Sequence, residues 1–426
     1  MKKIFGIGFV SAVAMSVMAG CSSGSSGTGG DGDVVQLSFS AWGNPAELDV
    51  YNRAVDAFNE MQDDIEVTLT GLPNDSYFQT LTTRLQGGQA PDVFYVGAEN
   101  ISTLMANGTI EPLSEFMETD ESFVTEDEFT DDIWGASRDE DVIYGLPVDC
   151  NPFLLYYNKA LLEENDITSP QEYYENGEWN WDTFAEVTGQ LNEAGNHGYM
   201  QESGHVAMIN WIWTNGGQFA DADSIVADTD PNTKEAFEFV DEMVDEGNFT
   251  YAGTMPEGQG IEAMFMSGQV GFVSAGRWLT PMFLNSSLEF DYIPFPSNTG
   301  EQLETAAIAT AYMAVNSNSD HVEEAQKFIS YYTSTEGQEV RLDGEGNAVP
   351  SVEGIDEIVL NQDRPEHGQY LLDARGVGRV IDLEFTSPGL NEDLEDIYEL
   401  MMLGDIDATD ALEQSTAKAK EALDLD

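Results

Sequence analysis

The chain has 426 residues, more than one ordinary hydrophobic core accommodates, so two lobes or domains are expected. It carries 79 acidic residues against 15 lysines and arginines, a formal charge of −64 spread along its whole length. That surplus excludes nucleic acid as a partner, because a phosphate backbone is bound by cationic surfaces. It fits a folded surface kept in a saline exterior, where the Debye length shrinks to about 3 Å at 1 M salt. Calcium binding is the rival explanation, but no D-x-[DN]-x-[DN]-G loop followed by Glu occurs.

The chain begins with Met1-Lys2-Lys3 and an apolar run from Ile4 to Ala19, the charged and hydrophobic regions of a secretory signal peptide. Met18-Ala19-Gly20-Cys21 resembles a bacterial lipobox, although Met18 stands where leucine is usual. Residues 1–21 are therefore expected to be removed and Cys21 to carry the lipid attachment; a plain signal peptide with an incidental cysteine is the other reading. Residues 22–33 (SSGSSGTGGDGD) read as a flexible Gly/Ser linker. No later segment approaches a membrane span. The expectation is an extracytoplasmic domain tethered to the cell membrane. Cys150 alone remains beyond the anchor, which allows neither a disulfide framework nor a cysteine metal site, and it is expected to be a small buried apolar group.

Val35, Leu37 and Phe39 alternate with polar residues, a first strand running to Ala41-Trp42-Gly43. Leu48, Tyr51, Val55 and Phe58 follow at helical spacing, and Ile65, Val67 and Leu69 alternate again. Asp75 is expected to cap a helix carrying Phe78, Leu81 and Leu85 that stops at Gly87-Gly88. Val93 to Val96 is a continuous apolar run, as a buried parallel strand requires. Glu99 or Asn100 caps a short helix ending at Gly108. This order predicts an α/β lobe with a parallel sheet. In such sheets ligands sit beyond the carboxyl ends of the strands, where Trp42 and Glu99 both fall. Trp42 can equally be a packed core aromatic, and Glu99 a helix cap.

Tyr144-Gly-Leu-Pro-Val-Asp-Cys-Asn-Pro-Phe-Leu-Leu-Tyr-Tyr-Asn158 is the stretch that organises the rest. Pro147 and Pro152 stiffen it into an extended path, and Phe153 to Tyr157 suits one buried strand. Asp149 lies between the prolines. The segment reads either as an edge strand or as a hinge between two lobes. Farther on, a capped helix begins near Trp181, and Trp211-Ile-Trp213 is a dense aromatic patch. A helix runs from Pro231 toward Gly247, and Gln269 to Ser274 is a strand leading into Gly276-Arg277-Trp278. Ala311 to Val315 is another strand, followed by two helices and the Gly344–Pro350 break. Two acidic amphipathic helices close the chain, from Asn391 and from Thr409.

Four histidines, none paired at i, i+4, leave no transition-metal pattern, so no metal and no cofactor are expected. There is no G-x-S-x-G elbow, P-loop or dinucleotide fingerprint. With so many acids, a carboxylate pair for glycoside hydrolysis stays open. What the chain offers instead is tryptophan and tyrosine near loops together with isolated carboxylates. That is the chemistry of holding a sugar, with flat rings against C–H faces and carboxylates accepting hydroxyl hydrogens.

Taken in order, the lipobox, the Leu37–Trp42 strand, Gly87-Gly-Gln-Ala-Pro-Asp-Val-Phe94, Tyr144-Gly-Leu-Pro-Val148, Leu155-Tyr-Tyr-Asn-Lys159, Trp181-Asp-Thr-Phe184, Phe265-Met-Ser-Gly-Gln-Val-Gly271, Gly276-Arg-Trp278 and Ala325-Gln-Lys-Phe-Ile329 with Pro350 span essentially the whole mature chain. In this order the chain resembles the extracellular solute-binding proteins of ABC transporters, in the carbohydrate-binding group that includes maltose-binding proteins. The resemblance implies an α/β, two-lobed periplasmic-binding-protein-like fold of type II, with the ligand cleft between lobes joined by hinge crossovers. Laid on this chain, the crossovers fall near 145–150, near 306–312 and just after Pro350, giving an N-terminal lobe of 34–146 with 311–351 and a C-terminal lobe of 147–310 with 352–426.

The resemblance also implies site residues. Glu99 and Asp149 would accept ligand hydroxyls, and Trp278 would stack on the sugar. Trp42 follows the first strand, where members often contact ligand; Trp211 or Trp213 would face the cleft from the second lobe; Tyr312 lies on the second crossover. Arg277 stands where an apolar residue is common and would pair with Asp149 or Glu99 or meet an acidic sugar. The expected protein is a monomeric, non-enzymatic receptor that binds a mono- or oligosaccharide and delivers it to the permease subunits of an ABC transporter. Two alternatives stand beside it: a secreted glycoside hydrolase using Glu99 and Asp149, and a receptor for a non-sugar solute such as a peptide.

Overall fold

The computed structural model describes residues 34–130, 133–256 and 258–425. The signal peptide, Cys21 and the linker expected within residues 1–33 lie outside them. The strands, in chain order, are β1 (Val35–Trp42), β2 (Ile65–Leu72), β3 (Val93–Gly97), β4 (Arg138–Asp139), β5 (Val142–Ile143), β6 (Leu146–Pro147), β7 (Asn151–Pro152), β8 (Leu154–Asn158), β9 (His197–Gln201), β10 (Phe249–Tyr251), β11 (Val270–Ala275), β12 (Phe290–Ile293), β13 (Ile308–Ala309) and β14 (Ala311–Val315). They form two five-stranded sheets, β2-β1-β3-β14-β6 and β10-β9-β11-β8-β12, and two short pairs, β13-β7 and β4-β5.

The first sheet follows from the alternation of its sequence. β1 and β2 lie parallel, from Val35 opposite Ile65 to Trp42 opposite Leu72, and β3 lies parallel on the other side of β1. Parallel neighbours need a crossover, and helices Pro45–Met61 and Asn74–Gln86 supply it. The first of these helices is capped reciprocally. Asn44 accepts from the backbone of Ala46 and Glu47, while the Glu47 carboxylate accepts from Asn44 N at 2.9 Å. The second begins one residue ahead of the expected Asp75 cap, with Pro73 in the capping position. Its buried ring is Tyr77 rather than Phe78, because Tyr77, Leu81 and Leu85 share one helical face.

β1, β2 and β3 are parallel, as expected, and β14 joins their sheet antiparallel to both β3 and β6. β14 arrives directly from the second sheet through β13, with no helix to turn it around, and so it enters against β3. In the second sheet β9, β10 and β11 are parallel, and β8 is antiparallel to β11 and β12.

The two readings of residues 144–158 merge. β6 is the edge strand of the first sheet, β8 is an interior strand of the second, and β7 pairs with β13 between them. Backbone bonds tie this passage to its neighbours: Val148 N to Ala311 O at 2.8 Å, Cys150 N to Val349 O at 2.9 Å, and Phe153 N to Ala307 O at 2.8 Å. Cys150 is buried, and burial pushes its thiol up to about 12, so it is an inert apolar group. Helices Leu390–Met402 and Ala408–Ala422 pack on each other and on helix Pro231–Asp245. Among the described residues no helix is long and apolar enough to cross a membrane.

Candidate functional site

One wall of the cleft is built beyond the carboxyl ends of β1 and β3. Trp42 ends β1 half-buried, its ring edge-on to Tyr77 at 5.2 Å and Tyr95 at 5.6 Å. Trp42 is thus packed against two core tyrosines while staying only half-buried. Glu47 lies just beyond, 7% exposed, folded against Gly43. Burial pushes its carboxyl up to about 7, against the Asn44 N–H, and the charges of Glu262 and Asp149 push the same way.

Glu99 sits in the first turn of helix Ala98–Ala106 with Gly97 at the cap, so it is not the cap itself. Its carboxylate folds back over Gly97, where a Cβ would lie 2.2 Å from Glu99 Oε1; only glycine leaves it that room. Asn100 Nδ2 donates to it at 2.6 Å. Burial raises this carboxyl, its own N–H and Asn100 oppose, and Glu392 and Glu395 add to the rise from helix Leu390–Met402.

The floor is the crossover. Asp149 Oδ1 accepts from Ala311 N at 3.1 Å, and Thr310 Oγ1 donates to the Asp149 carbonyl at 2.7 Å. Burial raises the Asp149 carboxyl to about 6, held from rising further by the Arg341 charge and the Ala311 N–H. Tyr312 does not offer its hydroxyl to the cleft. It is fully buried and donates to the carbonyls of Ile133 and Trp134 at 3.0 and 2.7 Å, a brace beneath the crossover.

The second wall lies at the carboxyl end of β11. Trp278 is half-buried and edge-on to Phe153 at 5.3 Å, with its ring laid over Gly276. A Cβ at Gly276 would sit 2.2 Å from Trp278 Cζ3 and 2.7 Å from Asn151 Cβ. Arg277 pairs with neither Asp149 nor Glu99. It is 1% exposed and its Nη1 donates to Ala348 O at 2.6 Å, because the chain turns it inward between Tyr156 and Tyr292. Trp211 is a core residue: 0% exposed, its Nε1 donates to Gln201 Oε1 at 3.0 Å within a shell that includes Phe184, Tyr199, Phe249 and Phe295. Trp213 is covered by the guanidinium of Arg379, 4.1 Å from its ring centroid. Neither presents a free face, because helix His205–Thr214, which carries both, is buried nearly all round.

Trp42 and Glu99 therefore lie beyond the carboxyl ends of β1 and β3, Asp149 on the crossover and Trp278 beyond β11, while Trp211, Trp213, Arg277 and Tyr312 are buried in packing. It adds Glu47 and Arg341, which sequence reasoning missed. Asn44-Pro-Ala-Glu47 carries a capping signature that would have marked Glu47 as the residue turned back toward the strand end. Nothing local marks Arg341. The walls approach where helix Pro45–Met61 meets helix Thr280–Leu284. Among the described residues no group of three or more His, Cys, Asp or Glu could hold a metal ion.

Similar proteins share this architecture. A substrate-binding protein of an ABC transporter from Listeria monocytogenes, solved with cycloalternan, superposes with a TM-score of 0.81 at 20% identity, covering 92% of this chain and all of that one. The maltose/maltodextrin-binding domain of Bdellovibrio bacteriovorus bound to maltotriose gives 0.72 at 20% identity, covering 91% of this chain and 99% of that one. In sequence, the galactooligosaccharide-binding protein of Bacillus subtilis (strain 168) is 22% identical over 325 residues, 74% of this chain and 72% of the relative. The profile of the family described as bacterial extracellular solute-binding protein matches residues 42–339. With the two-sheet fold and the cleft between the sheets, that match makes this chain a member of the bacterial extracellular solute-binding protein family.

Proposed function

We propose that this protein captures a sugar or oligosaccharide between its two lobes and delivers it to the permease of an ABC importer, without chemistry of its own. The observation that carries this reading is the presence of half-buried tryptophans, and of carboxylates raised by burial, at the carboxyl ends of the strands and on the crossover. Trp42 and Trp278 stand at the ends of the two sheets, and Glu47, Glu99 and Asp149 lie with them. Indole faces suit pyranose C–H surfaces, and carboxylates accept paired hydroxyls. The ligands bound in the similar proteins, cycloalternan and maltotriose, belong to the same class. In this reading residues 34–146 with 311–351 form one lobe and 147–310 with 352–426 the other. Ligand stabilises their closed arrangement by its differential affinity. Cys21 carries a lipid anchor on the outer face of the membrane, and the receptor acts as a monomer.

One observation keeps glycoside hydrolysis in view: Glu99 and Asp149 are both raised, as a general acid must be. A single experiment separates the readings. Tryptophan fluorescence and thermal melting are followed in molar salt against mono- to tetrasaccharides, peptides and amino acids, with chromatography of each sugar afterwards. A saturable response to one sugar series with no product supports the receptor. Released product makes the protein a hydrolase, and a response to peptides alone removes the sugar.

A further inference from the structure

We propose that Arg341 is the positioning residue of this cleft, holding the first crossover by the Val148 carbonyl and supplying the positive charge that faces the adjacent Asp149 carboxylate. Arg341 lies at the end of helix Thr335–Leu342 and is 0% exposed. Its Nη2 donates to Val148 O, one residue before Asp149. Its Nε and Nη1 have no hydrogen-bond partner in the protein, and no carboxylate touches it among the described residues. The guanidinium carbon stands 5.2 Å from the centroid of Tyr332, whose hydroxyl meets that of Tyr95 at 2.6 Å. Tyr95 in turn carries the ring of Trp42. Burying a guanidinium without a direct ion pair is costly; Arg277 is buried in the same way, but Arg341 is bonded to the backbone immediately before the Asp149 carboxylate. In a chain with 15 basic residues, a buried one beneath a cleft carboxylate is a charge put to use at that carboxylate.

The groups that face Asp149 come from four neighbouring elements and its own segment. They are Glu47 and Tyr51 on helix Pro45–Met61, Tyr332 on helix Val322–Thr333, Tyr312 on β14, Arg341, and Cys150 beside it. The phenols and the thiol stay neutral, and Glu47, itself raised to about 7, is mostly protonated near pH 6 and gains its charge only above that. Arg341 opposes burial and keeps Asp149 an acceptor for ligand hydroxyls near neutral pH. A positioning role of this kind acts through Asp149 and does not require contact with ligand.

This inference rests on Asp149 being a ligand contact, and its test separates the two. First, full-length protein without ligand is melted across pH as wild type, Arg341→Met, Arg341→Gln and Arg341→Lys, each with and without Asp149→Asn. Met keeps the volume and Gln keeps a donor for Val148 O, so the charge is removed in two ways, and whichever folds decides. The Asp149 carboxyl is raised above its unfolded value, so its contribution to stability is present at low pH and is lost as pH rises through its folded value. In wild type and the Lys variant that loss runs from the ordinary 3.8 up to about 6, with its midpoint at about 5; in the neutral variants the midpoint moves up, with the upper end of the window about one pH unit or more higher. An unchanged midpoint, with only the overall melting lowered, overturns the proposal and leaves Arg341 a structural brace. Second, with a sugar that binds wild type, the neutral variants should lose about tenfold in affinity at pH 6 and recover as pH rises; a pH-independent loss overturns it. Silence toward every sugar in wild type refutes the receptor reading alone, since the ligand-free titration stands by itself.

Discussion

Trp278 and Trp211 are the same residue type with opposite fates. Trp211 is enclosed by six aromatic neighbours, so its truncation would leave a large cavity. Trp278 is edge-on to Phe153 and only half-buried. Trp211→Ala should lower stability by roughly 3–5 kcal/mol, read by denaturant unfolding, whereas Trp278→Ala should cost little stability. Glu47 gives a pH prediction. Its folded value near 7 lies above the ordinary 4.5, so the native state binds more protons than the unfolded chain between those values. Its stabilising contribution is complete below that window and is lost as pH rises through 7. Glu47→Gln should flatten the pH dependence of melting between pH 5 and about 7.5, by on the order of 2–3 kcal/mol across the window. An unchanged slope would show that burial of Glu47 does not govern it.

The helices and strands that position the site differ in how much of them the sequence discloses. Val93 to Val96 and Ala311 to Val315 were legible as continuous apolar runs bounded by polar or glycine positions, and the face of Phe184, Val187 and Leu191 as a helical period, because burial there follows the local sequence. The antiparallel entry of β14 was not, since strand direction depends on which sheet the chain has just left. The same limit governs the site. Asp149 and Trp278 are flagged by prolines and glycines beside them, but Arg341 reaches Val148 across 193 positions. Arg277 showed the converse failure, because a rare arginine beside a cleft tryptophan looked functional and turned inward to Ala348. Gly276 permits a test at this scale. Gly276→Ala should push the Trp278 ring off its seat and weaken sugar binding, measured by titration, more than it lowers the melting temperature. Unimpaired binding would mean that the ring's seat is irrelevant to ligand.

For the whole molecule, 79 acidic residues against 15 basic ones make self-repulsion the term that salt controls. Raising salt from about 0.1 M to 1 M shortens the Debye length from about 10 to about 3 Å. The melting temperature should therefore climb steeply over that range and flatten above it; a melting temperature indifferent to salt would show that the charges are already paired or distant. On the proposed function, the two lobes joined by the tied crossover stretches hold the ligand from two sides, with Trp42 on one and Trp278 on the other. The measurement that tests this most directly is calorimetric titration, in molar salt, of the best sugar from the panel into wild type, Trp278→Ala, Trp42→Ala and Trp213→Phe. The account predicts one saturable site, a loss of roughly tenfold or more for each of the first two variants, and near wild-type affinity for the third. Equal affinity in wild type, Trp278→Ala and Trp42→Ala would contradict it.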